Sequence, residues 1–293
     1  MSLKGSLVAL VTPMKADGVI DEAALERLIE WHIEAGTEAL VIAGTTGESP
    51  TLLRDEHESL LRRVIGCVDG RIKVIAGTGS NSTEQTLDMS RRAAVAGADG
   101  LLLVVPYYNK PPQRALAAHF RAVADAVDCP ILLYNVPSRT GADLLPETVA
   151  ELSTVANIVG IKEASARLER VGELRYRCGP DFVLLSGDDA TAAAFMLAGG
   201  DGVISVTANV VPERVRRLCD AARAGDVETA RGLDRELTSL NQALFVESNP
   251  IPVKWALQRM GRIGSGIRQP LLGLAEVHQA QVESALKALG VLV

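Results

Sequence analysis

The sequence predicts an α/β fold: a closed (β/α)8 TIM barrel over residues 1–225, followed by a helical domain over residues 226–293. Three observations carry this expectation. Short apolar runs alternate with amphipathic stretches at a repeat of roughly thirty residues, the size of one βα unit. Polar and glycine-rich segments follow most of the runs instead of clustering at one switch point. No Gly-x-Gly-x-x-Gly follows the first run, which disfavours a doubly wound dinucleotide-binding sheet.

The predicted strands are Leu7–Val11, Ala39–Ala43, Lys73–Ala76, Gly100–Val105, Ile131–Asn135, Ile158–Lys162, Phe182–Ser186 and Gly202–Ser205. Their near-continuous Val, Leu and Ile content suits parallel strands buried on both faces. Between the first two, Asp21 to Glu34 opens on acidic residues and sets Leu25, Leu28, Ile29 and Ile33 on one helical face. Thr83 to Ala96 and Arg114 to Ala126 repeat that pattern. After Arg223 the strands stop, and residues 226–243, 250–260 and 273–289 read as helices.

The 293 residues are 47% hydrophobic and only 3% aromatic, enough apolar content for one large core. The net charge of -6 and the absence of a basic stripe argue against nucleic acid as a partner. Cys67, Cys129, Cys178 and Cys219 are too scattered for a metal pair or a redox dithiol, which fits a reducing cytoplasm. His32, His57, His119 and His278 are equally dispersed, which disfavours a zinc-dependent aldolase. Ser6 to Val11 is too short for a signal-peptide core, and no stretch is long and apolar enough to be a membrane span.

Lys162 is the most informative residue. It ends an apolar run, Asn157 to Lys162, and a buried ammonium is costly enough to drive a lysine toward the neutral amine. Such an amine at a strand's end is the nucleophile for a Schiff base with a carbonyl compound. A lysine escaping to solvent beside Glu163 would give the same local pattern. In a barrel, the segments after the strands converge on one face. There, Gly44-Thr45-Thr46-Gly47-Glu48 offers amides and hydroxyls to a carboxylate and lacks the lysine of a nucleotide loop. Tyr134 ends the strand before that of Lys162, placed either to carry protons or to fill the barrel top. Arg139, in Pro-Ser-Arg-Thr-Gly, suits bidentate carboxylate recognition unless it is simply solvated. Asp188 and Asp189 occupy a loop where barrels of this kind often bind phosphate, and two carboxylates there imply an unphosphorylated substrate. Tyr107 and Tyr108 are adjacent, so an extended segment cannot point both into one core, and one of them is free to meet another subunit.

As a set, Gly-Thr-Thr-Gly-Glu-Ser, Pro-Tyr-Tyr-Asn, Tyr-Asn-Val-Pro-x-Arg-Thr-Gly, Gly-Ile-Lys-Glu-Ala and Ser-Gly-Asp-Asp resemble the dihydrodipicolinate synthase family, also called 4-hydroxy-tetrahydrodipicolinate synthase, of the pyruvate-dependent class I aldolases and lyases. The resemblance runs from Gly5 to the Asn249-Pro250-Ile251-Pro252-Val253-Lys254 segment. It implies a lyase of lysine and diaminopimelate biosynthesis that condenses pyruvate with L-aspartate 4-semialdehyde. Lys162 would form the imine, Tyr134 would shuttle protons, and Thr45 would link Tyr134 to a Tyr108 donated by a neighbouring subunit. Thr45 and Thr46 would hold pyruvate's carboxylate near the Ile204 backbone, and Arg139 would grip the semialdehyde. No metal or organic cofactor is implied, and a homotetramer built as a dimer of dimers is. Ser49, His57, Asn81, Gln85 and Tyr107 match a lysine effector site of regulated relatives. There Pro50 replaces a small residue, Arg54 replaces a histidine and adds positive charge against a cationic ligand, and Gln85 replaces a glutamate, with Glu84 turned off that face, so feedback is expected to be weak. Ser165-Ala166 stands where the family commonly has Thr-Gly. The alternatives are a sister enzyme, such as N-acetylneuraminate lyase or a 2-keto-3-deoxy sugar acid aldolase, and a non-catalytic barrel. Arg139 speaks against the sister enzymes, and the joint presence of Lys162, Tyr134 and Thr45 against the non-catalytic reading.

Overall fold

The computed structural model describes residues 3–292. Eight parallel strands close into a barrel in chain order. They are β1 (Gly5–Ala9), β2 (Ala39–Ile42), β3 (Lys73–Gly77), β4 (Gly100–Val104), β5 (Ile131–Asn135), β6 (Ile158–Glu163), β7 (Val183–Ser186) and β8 (Gly202–Ser205). The expected β/α architecture is thus what forms. Around the barrel lie α1 (Glu22–Glu34), α2 (Arg54–Val68), α3 (Thr83–Ala96), α4 (Gln113–Ala124), the single turn α5 (Pro137–Thr140), α6 (Pro146–Leu152), α7 (Glu169–Cys178), α8 (Ala192–Leu197) and α9 (Pro212–Arg223). Three helices follow without strands: α10 (Val227–Ala243), α11 (Ile251–Arg259) and α12 (Glu276–Ala288).

The first strand begins two residues earlier than Leu7–Val11 predicts. Gly5 pairs with Gly202 to close the ring, and a Cβ on Gly202 would lie 2.2 Å from the Gly5 carbonyl oxygen. The backbones meet there because neither residue has a side chain. At the other end, the Val11 amide leaves the ladder and donates to Asn209 Oδ1 at 3.0 Å.

Side chains alternate across each strand, as a pleated backbone requires. Leu7, Val41, Ile75, Leu102, Leu132, Leu185 and Ile204 fill the barrel interior. Val8, Leu40, Val74, Leu101, Leu133, Leu184 and Val203 face outward into the larger layer under the helices.

One strand breaks the alternation. Ile131 of β5 pairs with Ile158 of β6, but the next residue, Leu132, pairs with Gly160. Val159 is therefore an extra residue, a β-bulge. Before it Ile158 points outward, and after it Lys162 shares the inward register of Tyr134. Four residues apart on a regular strand, Ile158 and Lys162 would share a face. The residue after the bulge has to be glycine, because a Cβ on Gly160 would stand 2.4 Å from the Val183 carbonyl oxygen and 2.7 Å from Val183 Cβ. Gly160→Ala should therefore lower stability by about 1–3 kcal/mol, the scale of an overpacked core, and lower turnover of the protein that still folds. Urea unfolding and a rate assay measure both, and an unchanged unfolding midpoint would contradict the bulge's steric basis.

Candidate active site

The C-terminal ends of the strands open onto a cavity of about 700 Å³ whose wall includes Thr45, Thr46, Tyr134, Arg139 and Lys162. Five of the residues singled out from the sequence are thus brought together. Lys162 is 6% exposed, and its Nζ lies 4.3 Å from the centre of the Tyr134 ring. The two residues are register partners on adjacent strands, which fixes their proximity through the backbone.

Glu163 does not neutralise Lys162. It points to the outer face, where Asn135, its register partner, donates from Nδ2 to both its carboxylate oxygens at 3.3 and 3.2 Å. Arg170 of α7 reaches the same cluster, donating to Glu163 at 3.4 Å and to Asp143 at 2.8 and 2.5 Å. The Ser165 amide donates to Glu163 at 2.8 Å, which ties down the loop that follows Lys162. In that loop Ala166 adopts φ +59, the left-handed region where the family's glycine carries no Cβ penalty. Among the described residues Lys162 makes no ion pair.

A second buried lysine, Lys254 of α11, is 4% exposed. Its ammonium is bound to Glu48, and it does not line the cavity. Burial pulls its pKa below the usual lysine value against the opposing pull of Glu48. Of the two buried lysines, only Lys162 faces the cavity unpaired. Gly187 leaves room for it: a Cβ there would lie 2.6 Å from Ala164 Cβ and 2.9 Å from Lys162 Cε.

The loop from Gly44 to Ser49 is a tight turn rather than a direct helix start. The Gly47 and Ser49 amides both donate to the Gly44 carbonyl, and Glu48 takes φ +58. Thr12 Oγ1 donates to the Gly47 carbonyl at 2.7 Å. Thr45 and Thr46 are left facing the cavity. Arg139, on α5, donates from Nη2 to the Asn249 carbonyl at 3.3 Å.

Other expected residues fall elsewhere. Ile204 is packed in the barrel interior and does not line the cavity, whereas Val206, two residues on, does. Tyr108 is 88% exposed and lies outside the cavity of its own chain. The paired carboxylates split. Asp188 lines the cavity and accepts from Thr191, while Asp189 turns to β8 and accepts from Ser205 Oγ at 2.5 Å and the Val206 amide at 2.8 Å. Burial raises the Asp189 pKa. Only one carboxylate, Asp188, therefore opposes phosphate, not two.

A second cavity of about 630 Å³ opens beside α2 and α3 and is lined by Ser49, Arg54, His57, Gln85 and Tyr107. Asn81 is not among its lining residues, and its carbonyl accepts from Asn109 Nδ2 at 2.9 Å. Two expectations about its charge are corrected. Arg54 is paired with Asp88, so its charge is met within the wall. Glu84 also lines the cavity, because its backbone position at the start of α3 brings it to the rim despite the turn from Gln85. Gln85 Oε1 itself accepts from Ser80 Oγ at 2.9 Å.

Residues 2–289 match the model of the dihydrodipicolinate synthetase family. The chain belongs to this family. A 4-hydroxy-tetrahydrodipicolinate synthase of Alcanivorax borkumensis is 57% identical over 290 residues, covering 99% of each chain. One from Methylococcus capsulatus is 55% identical, covering 99% of this chain and all of its own. Among solved structures, a dihydrodipicolinate synthase of Acinetobacter baumannii complexed with pyruvate is similar at TM-score 0.98 and 47% identity, covering 99% of this chain and 100% of that one. The enzyme of Cyanidioschyzon merolae with lysine bound matches at TM-score 0.96 and 42% identity over the whole of both chains. Among the described residues no helix is long and apolar enough to cross a membrane.

Sequence reasoning met Gly160, Glu48, Asn249 and Lys254 only inside longer motifs and gave none of them an individual part in this arrangement. A glycine inside a strand pattern was the one available sign of the bulge. Crowding at Gly187 generates a direct expectation. Gly187→Ala should reduce turnover at saturating substrate more than it reduces thermal stability, because one of its two closest contacts is the Lys162 stem. Steady-state rates and a melting curve separate the two, and a full loss of fold with normal specific activity in the soluble fraction would contradict it.

Proposed function

We propose that the chain is a 4-hydroxy-tetrahydrodipicolinate synthase, a lyase joining pyruvate and L-aspartate 4-semialdehyde in the lysine and diaminopimelate route. The observation that carries this reading is Lys162, free of any ion pair among the described residues, in the wall of a cavity that Thr46 and Arg139 also line, two groups suited to carboxylates. The relatives that bear this name span the whole chain.

The chemistry follows from the placement of the residues. The Lys162 amine adds to the pyruvate ketone, and loss of water leaves an imine. Loss of a proton from the methyl carbon gives the enamine, with Tyr134 as the nearest proton carrier, its ring against Nζ. The enamine carbon attacks the semialdehyde's aldehyde and forms a carbon–carbon bond. The substrate's own amine then adds to the imine carbon, displaces Lys162 and closes the ring. Thr45 and Thr46 hold the keto acid, and Arg139 holds the carboxylate of the second substrate. No metal or organic cofactor enters the scheme. We assign the enzyme to the cytoplasm as a dimer of dimers. A coupled assay with pyruvate and semialdehyde, run beside sialic acid and keto-deoxy sugar acids, tests the reading. Cleavage of a sugar acid without condensation would replace it.

Arg139→Ala should weaken use of the semialdehyde by about tenfold or more, the scale of a hydrogen bond to a charged group, while KM for pyruvate changes little. Equal losses for both substrates would remove its specific role. Tyr108 is proposed to complete the site of a neighbouring subunit through Thr45 and Tyr134. Mixing Tyr108→Phe with Lys162→Ala subunits should restore part of the activity, because each hybrid dimer holds one complete site. No recovery after proven subunit exchange would place Tyr108 in its own chain. Lysine is proposed to be a weak effector at the second cavity, where Gln85 replaces a charge-assisted contact with a neutral one. Millimolar lysine should leave most activity intact in a dose–response assay. Inhibition at submillimolar lysine would mean that Glu84 supplies the missing carboxylate.

A further inference from the structure

The C-terminal segment reaches the active-site cavity at a residue that the scheme above does not use. Asn249 is 6% exposed and lines the cavity. Its side-chain Nδ2 donates to Thr46 Oγ1 at 2.9 Å, and its main-chain carbonyl accepts from Arg139 Nη2 at 3.3 Å. One residue therefore touches both groups assigned to the substrates' carboxylates.

The direction of the first bond matters. A hydroxyl has one proton and two lone pairs. With the Asn249 amide on one lone pair, the Thr46 proton is directed elsewhere, and among the described residues no group accepts it. Thr46 lines the cavity, so that proton is available to an anion bound there. The opposite amide orientation would consume the proton within the protein. Asn249 Oδ1 is buried without a partner among the described residues, so the bond to Thr46 is the one hydrogen bond its side chain makes there.

The reach of Asn249 is fixed from behind. Five residues further along, Lys254 is bound to Glu48, two residues past Thr46. The Arg268 amide donates to the other Glu48 oxygen at 2.9 Å, and the Arg268 guanidinium is bound to Glu56. Residues 249 to 268 are thus fastened to the loop that carries Thr46 at a buried charge and at Asn249 itself.

We propose that Asn249 is a positioning residue for the keto acid: it occupies the acceptor side of the Thr46 hydroxyl so that the hydroxyl proton points at the substrate carboxylate, and it steadies Arg139 across the cavity. The proposal rests on the reading of Thr46 as a carboxylate-binding group, and the test separates the two.

Pyruvate KM and kcat are measured at saturating semialdehyde on the full chain and on Thr46→Val, Asn249→Asp, Asn249→Ala and the Thr46→Val/Asn249→Ala double variant, with melting curves for each. The aspartate carboxylate accepts the Thr46 proton, so Asn249→Asp should raise pyruvate KM by about tenfold or more, the scale of one hydrogen bond to a charged group, with a far smaller change in kcat. Asn249→Ala should raise pyruvate KM in the native background and add nothing once Thr46 is valine, because coupled residues are not additive. Unchanged KM in Asn249→Asp, or an undiminished Asn249→Ala effect in the valine background, would overturn the proposal. If Thr46→Val itself leaves pyruvate KM unchanged, the carboxylate reading of Thr46 falls and the proposal falls with it. If Asn249→Asp does not fold, the alanine pair decides alone.

Discussion

A single extra residue in β6 sets the chemistry of this barrel. Val159 shifts the pairing between β5 and β6 by one, and every residue after it changes face relative to Ile158. Lys162 thereby joins Tyr134 on the inner surface, and Glu163 joins Asn135 on the outer one. Without the shift, the pleat would send the ammonium under the helices and the glutamate into the cavity. Gly160 is the cost of that arrangement, since no side chain fits against the Val183 backbone.

The charges are sorted by the same alternation. On the outer face, buried Glu163 and Arg170 form a cluster with Asn135 and the half-buried Asp143, and hydrogen bonds from the Ser165 and Leu144 amides extend it into the loops after β6 and β5. Burial pushes the Asp143 carboxyl up, but hydrogen bonds from Arg170 and Asn135 and the charge of Arg170 together hold its pKa below the ordinary value. These contacts immobilise the ends of the two strands that carry Lys162 and Tyr134. A second buried pair, Lys254 with Glu48, fastens the C-terminal helices to the loop of Thr45 and Thr46. Removing one partner of such a pair costs about 3–5 kcal/mol, because the other charge is left buried and uncompensated. The C-terminal helices thus hold the loop of Thr45 and Thr46 from behind, while the strand pairing holds Lys162 beside Tyr134.

The fold was legible because its signals are repeated. Eight apolar runs and the loops behind them are local patterns, and Ile131–Asn135 and Gly202–Ser205 agree with the strands to the residue. The convergence of Thr45, Thr46, Tyr134, Arg139 and Lys162 was legible too, since each lies at or just beyond a strand's end and barrel topology gathers those positions. What stayed hidden depends on contacts distant in sequence. The role proposed for Asn249 rests on its bond to Thr46, about two hundred positions earlier, and nothing local to either residue announces it. Asp188 and Asp189 look alike in sequence, yet hydrogen bonds to β8 turn the second away from the cavity. Arg54 read as an unmet charge because its partner, Asp88, sits on the next helix.

The bulge brings one buried lysine, Lys162, to the cavity, and that lysine alone is proposed as the covalent nucleophile. Treating the protein with pyruvate and borohydride, then mapping the modified residue by mass spectrometry, tests this most directly. Reduction of an imine should fix a pyruvate-derived group on Lys162 alone, leaving Lys254 in its pair with Glu48. An adduct on Lys254, or none at all under conditions in which the protein turns over, would contradict the account.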